Sequence, residues 1–229
     1  MIGIIGAMAN EVDTLKANMT DKEIKIRAKM EFCSGKLFGV DAVVVKCGVG
    51  KVNAALCAQN MIYEFSPDII INTGCAAGVG DGIHIGDIVI AENAVQHDVD
   101  YGPLDDERGY LDIVERVYIP ADKENSEKIA EIARSLGVNT FSGTIATGDQ
   151  FLCDKDLKEE IKNHFGAYAV EMEGGAIAHA AYINGVPFVI LRSVSDSGDD
   201  EAIENFENFV EEVNKTNIAI LKEFLQGLK

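Results

Sequence analysis

Several short apolar runs of this sequence end beside carboxylates. Ile2–Ile5 opens into Gly6, Ala7 and Met8, followed by Asn10 and Glu11. Ala167–Val170 leads into Glu171, Met172 and Glu173, then Gly174 and Gly175. Pro187–Arg192 is followed by Ser193, Val194, Ser195 and Asp196. Two further runs end in small residues: Val43–Val45 before Gly48-Val49-Gly50-Lys51, and Asp68–Ile71 before the stretch Asn72 to Gly78 that carries Cys75 and Ala77. Carboxylates arriving from separate elements can divide acid and base work between them, one giving a proton and another taking one from water. Glycine and alanine beside them let backbone approach a ligand closely. Each acid also has a plainer reading. Glu11 suits the first turn of a helix, and Asp196 in S-D-S-G-D-D suits a turn or cap. Glu173 is harder to read that way, because it stands between an apolar strand and a helix of glycine and alanine.

Other chemistries find less support. Gly48-Val49-Gly50-Lys51 is not a phosphate loop of the G-x-x-x-x-G-K-[ST] type, since Val52 follows the lysine. It is not G-x-G-x-x-G either, because neither Asn53 nor Ala54 supplies the third glycine; a tight strand-to-helix turn accounts for it. His97-Asp98-Val99-Asp100 has metal-ligand types at short spacing but no second cluster, and His84, His164 and His179 stand alone. No metal site is expected. No G-x-S-x-G elbow is present.

The elements that must position these residues alternate in type. Apolar strands are expected at 2–5, within 23–46, at 68–71, 86–91, 140–146, 167–170 and 187–192. Turns are expected around Gly35-Lys36 and Gly39–Asp41. Helices are expected over 51–65, with Val52, Ala55, Leu56, Gln59 and Tyr63 at helical spacing, over 124–136, from 174 to 183 and over about 203–227. Unalternating strands between helices predict a largely parallel or mixed sheet covered on both faces. Ligands of such sheets bind beyond the carboxyl ends of the strands.

The chain of 229 residues carries a net charge of −18 and is 47% hydrophobic, which fits one compact domain over 1–229. So acidic a chain is a poor partner for nucleic acid and for anionic membrane surfaces. A neutral or cationic small molecule suits it better. Five scattered cysteines without a C-x-x-C pair suggest a reducing compartment. With neither a signal-peptide pattern nor a long apolar run, the expected location is the cytoplasm.

Five stretches together resemble the 5′-methylthioadenosine/S-adenosylhomocysteine nucleosidase family of the purine nucleoside phosphorylase superfamily: G-I-I-G-A-M-A-N-E-V at 3–12, I-I-N-T-G-C-A-A-G at 70–78, G-D-Q-F at 148–151, A-V-E-M-E-G-G-A-I-A at 169–178 and R-S-V-S-D at 192–196. The resemblance implies a three-layer αβα fold around a mixed, twisted sheet, a homodimer, no cofactor, and hydrolysis of the N-glycosidic bond to release adenine and the thio-sugar. It implies that Asp196, oriented by Ser195, protonates adenine and that Glu11 takes a proton from the attacking water. Glu173 would hold the ribose hydroxyls with Met172 packed on the sugar, Glu171 joining that network and Arg192 positioning Glu11 or the water. Phe151 would stack on adenine and the Leu152 backbone would read its edge, with Ala7, Met8, Val49 and Ala77 lining the pocket. Cys75 stands beside the sugar where many members of the family carry serine. Loop 101–110 is expected near the 5′-thio group.

Rival readings remain open at this point. A phosphorylase of the same fold needs an anion site, whereas the chain has five arginines, of which only Arg192 lies in a site motif. A nucleosidase for another 5′-modified adenosine needs only a different pocket for the tail. A non-catalytic nucleoside binder would need neither Glu11 nor Asp196.

Overall fold

The computed structural model describes residues 1–102 and 107–228, so part of the 101–110 loop lies outside the described residues. In chain order the elements are β1 (Ile2–Gly6), α1 (Ala9–Ala17), β2 (Met19–Arg27), β3 (Met30–Leu37), β4 (Val40–Lys46), α2 (Lys51–Phe65), β5 (Ile69–Gly78), β6 (Ile88–Gln96), β7 (Ile119–Pro120), α3 (Lys123–Ser135), β8 (Thr140–Thr147), α4 (Lys155–Phe165), β9 (Ala167–Glu171), α5 (Gly174–Ile183), β10 (Phe188–Asp196) and α6 (Ala202–Gln226).

The strands form one mixed sheet. Its open arm runs β2-β3-β4-β1-β5. Beyond β5 the sheet closes on itself, because β5 pairs with both β9 and β10, and these are joined through β8 and β6. Successive residues of each central strand face opposite layers. Ile5, Val43, Val45, Ile70 and Ile190 pack towards α2 and α5. Ile4, Val44, Ile71, Val189 and Leu191 pack towards α1, α3 and α6. Strands buried on both faces read as continuous apolar runs. A third cluster seats α4 through Ile161 and Phe165 against Val95, Ala146 and Val170. The result is the three-layer arrangement that the strand–helix alternation implies.

Several boundaries differ from the sequence reading. The first hairpin turn is Ala28-Lys29, both at positive φ, and Gly35 lies inside β3, where a Cβ would stand 2.4 Å from the Thr20 carbonyl oxygen. That glycine marks a close strand approach beside a bulge in β2. On α2 the buried residues are Ala54, Cys57, Ala58 and Met61, while Val52, Leu56 and Tyr63 face outward. Most consequential for the site, β5 continues to Gly78 and β10 to Asp196, seven and four residues past the expected ends. The two strands pair in parallel through Arg192 opposite Gly74 and Val194 opposite Ala76, and this pairing sustains strand geometry over small, weakly strand-forming residues.

Candidate active site

Strand β5 leaves its neighbour β1 after Asn72 and meets β9 only at Ala77, so the edge from Thr73 to Ala76 borders a gap in the sheet. A cavity of about 160 Å³ occupies this region. Glu11, Glu171, Glu173, Arg192, Ser195 and Asp196 converge on it. Ala7, Met8, Val49, Cys75 and Ala77 form part of its wall, and so do Phe151, Leu152 and Met172. The structure thus brings all fourteen residues to which the resemblance assigns a site role to one cavity.

Glu11 sits in the first turn of α1 and folds back over the helix start. Its Oε2 accepts from the Ala7 N–H at 2.6 Å and the Met8 N–H at 2.9 Å, and its Oε1 from the Cys75 N–H at 3.4 Å. Burial nevertheless raises its pKa, outweighing the attraction of Arg192 and these donors. The Cys75 thiol lies 3.8 Å from the Glu11 Oε1, and burial drives its pKa upward.

Arg192, on β10, is fully buried. Its Nη2 donates to Asn72 Oδ1 at 2.6 Å and to Glu171 Oε2, and its Nη1 to the Cys75 carbonyl at 3.3 Å. Glu173 Oε2 lies 3.5 Å from the same guanidinium. Although burial disfavours the charge, Glu171, Glu173 and Glu11 together hold the Arg192 pKa above its usual range. Gly74 makes room for the group: a Cβ there would stand 2.2 Å from Arg192 Nη1 and 2.6 Å from Glu11 Oε1.

Glu171 closes β9. Its Oε2 accepts from the N–H groups of Glu173 and Gly174 at 2.9 and 2.7 Å, and its Oε1 from the Thr147 hydroxyl. It is fully engaged with protein. Glu173 is the N-cap residue of α5 and has one direct donor, the Gly50 N–H at 2.9 Å. Burial and the neighbouring Glu171 push its pKa up to about 7 against the pull of Arg192.

A β-bulge between Val194 and Asp196 shifts the register at the end of β10 and re-aims its last residues. The Ser195 hydroxyl donates to Asp196 Oδ2 at 2.9 Å, and the Gly198 N–H to Oδ1 at 2.9 Å. Burial raises the Asp196 pKa above that of an ordinary aspartate despite both donors. At the mouth, Phe151 meets Phe206 edge-to-face with centroids 5.7 Å apart. Phe206, Gln150, Ala76 and Val170 also line the cavity. Gln150 lies within the G-D-Q-F motif, but Phe206 belongs to the apolar period of α6 and carries no signal that separates it from core.

The His97–Asp100 cluster takes another course. Asp98 binds the Lys51 ammonium at 2.6 Å, and Asp100 accepts from the Gly102 N–H at 2.8 Å. Among the described residues no group of three or more His, Cys, Asp or Glu is arranged to hold a metal ion. Nor is any described helix long and apolar enough to cross a membrane.

This chain, a mixed sheet closed on one side with acids from separate elements around one cavity, matches the family model of the phosphorylase superfamily over residues 1–226. A 5′-methylthioadenosine/S-adenosylhomocysteine nucleosidase of Haemophilus influenzae is 38% identical over 229 residues, covering 99% of each chain. The nucleosidase of the same name from an Exiguobacterium species is 40% identical over 212 residues, 92% of this chain and 91% of its own. The crystal structure of the Neisseria meningitidis nucleosidase in complex with methylthio-immucillin-A matches with a TM-score of 0.94 at 33% identity, covering 99% of this chain and 98% of that one. The chain belongs to the 5′-methylthioadenosine/S-adenosylhomocysteine nucleosidases of the phosphorylase superfamily.

Proposed function

We propose that this protein hydrolyses the N-glycosidic bond of 5′-methylthioadenosine and S-adenosylhomocysteine, releasing adenine and the 5′-thio-ribose, and so serves methionine salvage and removal of S-adenosylmethionine by-products. The observation that carries the hydrolytic reading is the electrostatics around Arg192. Among the described residues it is the only lysine or arginine lining the cavity, and three carboxylates already surround it. Such a site repels phosphate and favours the positive charge that develops on the sugar as the bond breaks.

In this reading burial raises the Asp196 pKa and so favours its protonated form, and it passes that proton to N7 of adenine. The C1′–N9 bond breaks, its electron pair leaves with the base, and the water oxygen bonds to C1′. Glu11 takes the water's proton, held in place by the N–H groups of Ala7 and Met8. Glu173, anchored by the Gly50 N–H, holds the ribose hydroxyls, and Met172 packs on the sugar. Phe151 stacks on the base, with Phe206 bracing it from the edge. Glu171 and Asn72 hold Arg192, which in turn orients Glu11. No cofactor enters this scheme.

The homodimer that the family resemblance implies is supported by the exposed apolar residues Val52, Leu56 and Tyr63 on α2 and Ile183 on α5. The test of function is adenine release from each nucleoside by the wild-type protein and by Glu11→Gln. The wild type should turn over both substrates, and Glu11→Gln should bind adenine without turnover. Full turnover by Glu11→Gln would remove it as the base.

A further inference from the structure

Two short motifs, Gly48–Lys51 and His97–Asp100, meet at the rim of the site. The Lys51 ammonium donates to Asp98 Oδ1 at 2.6 Å. The other Asp98 oxygen, Oδ2, accepts from the Asp149 N–H at 2.9 Å. Asp149 Oδ1 in turn accepts from the Lys51 N–H at 2.7 Å. The three residues form a closed ring joining the start of α2, the exit of β6 and the exit of β8. The Lys51 and Asp98 side chains are only 17% and 21% exposed, so solvent screens the pair weakly. Burial alone would raise the Asp98 pKa, but the Lys51 ammonium and the Asp149 N–H outweigh it and hold the carboxyl below the usual range. The Asp98 carboxylate is therefore ionised throughout the neutral range.

None of the three lines the cavity, yet each is bonded next to something that does. Two adjacent N–H groups at the start of α2 divide between the two sides of the site: Gly50 donates to Glu173 on the sugar side, and Lys51 to Asp149 on the base side. A helix N-terminus favours both carboxylates. Asp149 directly precedes Gln150, Phe151 and Leu152. His97 presses on the preceding residue, leaving no room for a Cβ at Gly148, which would stand 2.3 Å from His97 Nε2. The 148–152 segment is short of regular structure, so its position rests on such ties rather than on a strand or helix of its own.

We propose that Asp98 is a positioning residue for the nucleobase side of the cavity: through Asp149 and Lys51 it fixes the segment carrying Phe151 and Leu152 against the α2 start that anchors Glu173. Nucleoside affinity then depends on a residue that never touches the nucleoside. The inference rests on the nucleosidase reading for its substrate and is tested by binding as well as turnover. Adenine affinity by titration calorimetry, and KM and kcat for 5′-methylthioadenosine, are measured for the wild type, Asp98→Ala, Asp98→Asn, Lys51→Met and the Asp98→Asn/Lys51→Met pair. Asp98→Ala should weaken adenine binding and raise KM about tenfold while kcat stays within about threefold, the size expected for losing a charge-assisted hydrogen bond. Asp98→Asn keeps an acceptor for the Asp149 N–H and preserves volume; it should cost less, and its effect should not add to that of Lys51→Met. Adenine affinity and KM within twofold of wild type in Asp98→Ala would overturn the proposal. So would a kcat loss larger than the KM rise, or additive single variants. A wild type that binds adenine but leaves 5′-methylthioadenosine intact would instead defeat the nucleosidase reading, and the adenine comparison would still test the ring.

Discussion

Replacing Glu173 with glutamine should make the unliganded protein more stable at alkaline pH while damaging its chemistry. The Glu173 pKa rises from 4.5 to about 7 on folding, mainly because the side chain is buried, 4% exposed, beside Glu171. Between these values the folded state holds a proton that the unfolded state has released. Stability therefore falls as pH rises through that window and levels off above it. The shift corresponds to about 3 kcal/mol of destabilisation by the ionised carboxylate at pH 8. Glutamine has the same shape and keeps an oxygen for the Gly50 N–H, while Arg192 retains Glu171 and Asn72. Urea unfolding of both proteins without nucleoside, followed by circular dichroism from pH 5 to 8, should show nearly equal stability at the acid end. The advantage of Glu173→Gln should grow to about 3 kcal/mol at pH 8. The same variant should lose about a hundredfold in kcat, because a charge facing the developing cation is gone. A variant no more stable than wild type at pH 8 would show that the attraction of Arg192, rather than burial, governs this carboxylate.

Gly74→Ala should destabilise the fold by about 3 kcal/mol and abolish turnover, because its Cβ overlaps Arg192 and Glu11 at once; thermal melts and adenine release measure both. The profile of kcat/KM against pH should be bell-shaped, with an acid limb from protonation of Glu11 and an alkaline limb from ionisation of Asp196, both displaced upward from ordinary carboxylates by burial. A flat profile across both limbs would contradict the assignment of acid and base. Phe206→Ala should raise KM for 5′-methylthioadenosine about fivefold with little change in kcat, since the edge contact on Phe151 and an apolar part of the cavity wall are lost while the reacting groups stay in place.

The central strands and four of the helices are legible in the sequence, the strands because their apolar runs match their burial. Ile4 and Ile5, or Ile70 and Ile71, face opposite layers and are both buried, so a run rather than an alternation betrays the strand. Helix α1 shows little pattern, since only Val12 and Leu15 join Glu11 in burial. Helix α4 carries readable ends, an Asp154 cap and a left-handed Gly166, but its polar face dominates and the element is easily passed over. On α2 the helix is predictable and its buried face is not, because Val52 and Leu56 look more core-like than Ala54 and Ala58. The site is legible where motifs repeat a type at a strand end. What the sequence hides is how β5 and β10 sustain each other through glycine, cysteine and serine, and how the bulge before Asp196 turns the end of β10. Those depend on a partner strand more than a hundred residues away. Phe206 is hidden for the same reason, since only the tertiary fold separates it from the core stripe of α6.

The most direct test of the account is the identity of the sugar released from 5′-methylthioadenosine with and without inorganic phosphate. A cavity in which Arg192 is already enclosed by Glu11, Glu171 and Glu173 predicts free methylthioribose at the same rate in both conditions. Methylthioribose-1-phosphate, formed only when phosphate is present, would contradict the hydrolytic account and place an anion site where these carboxylates now stand.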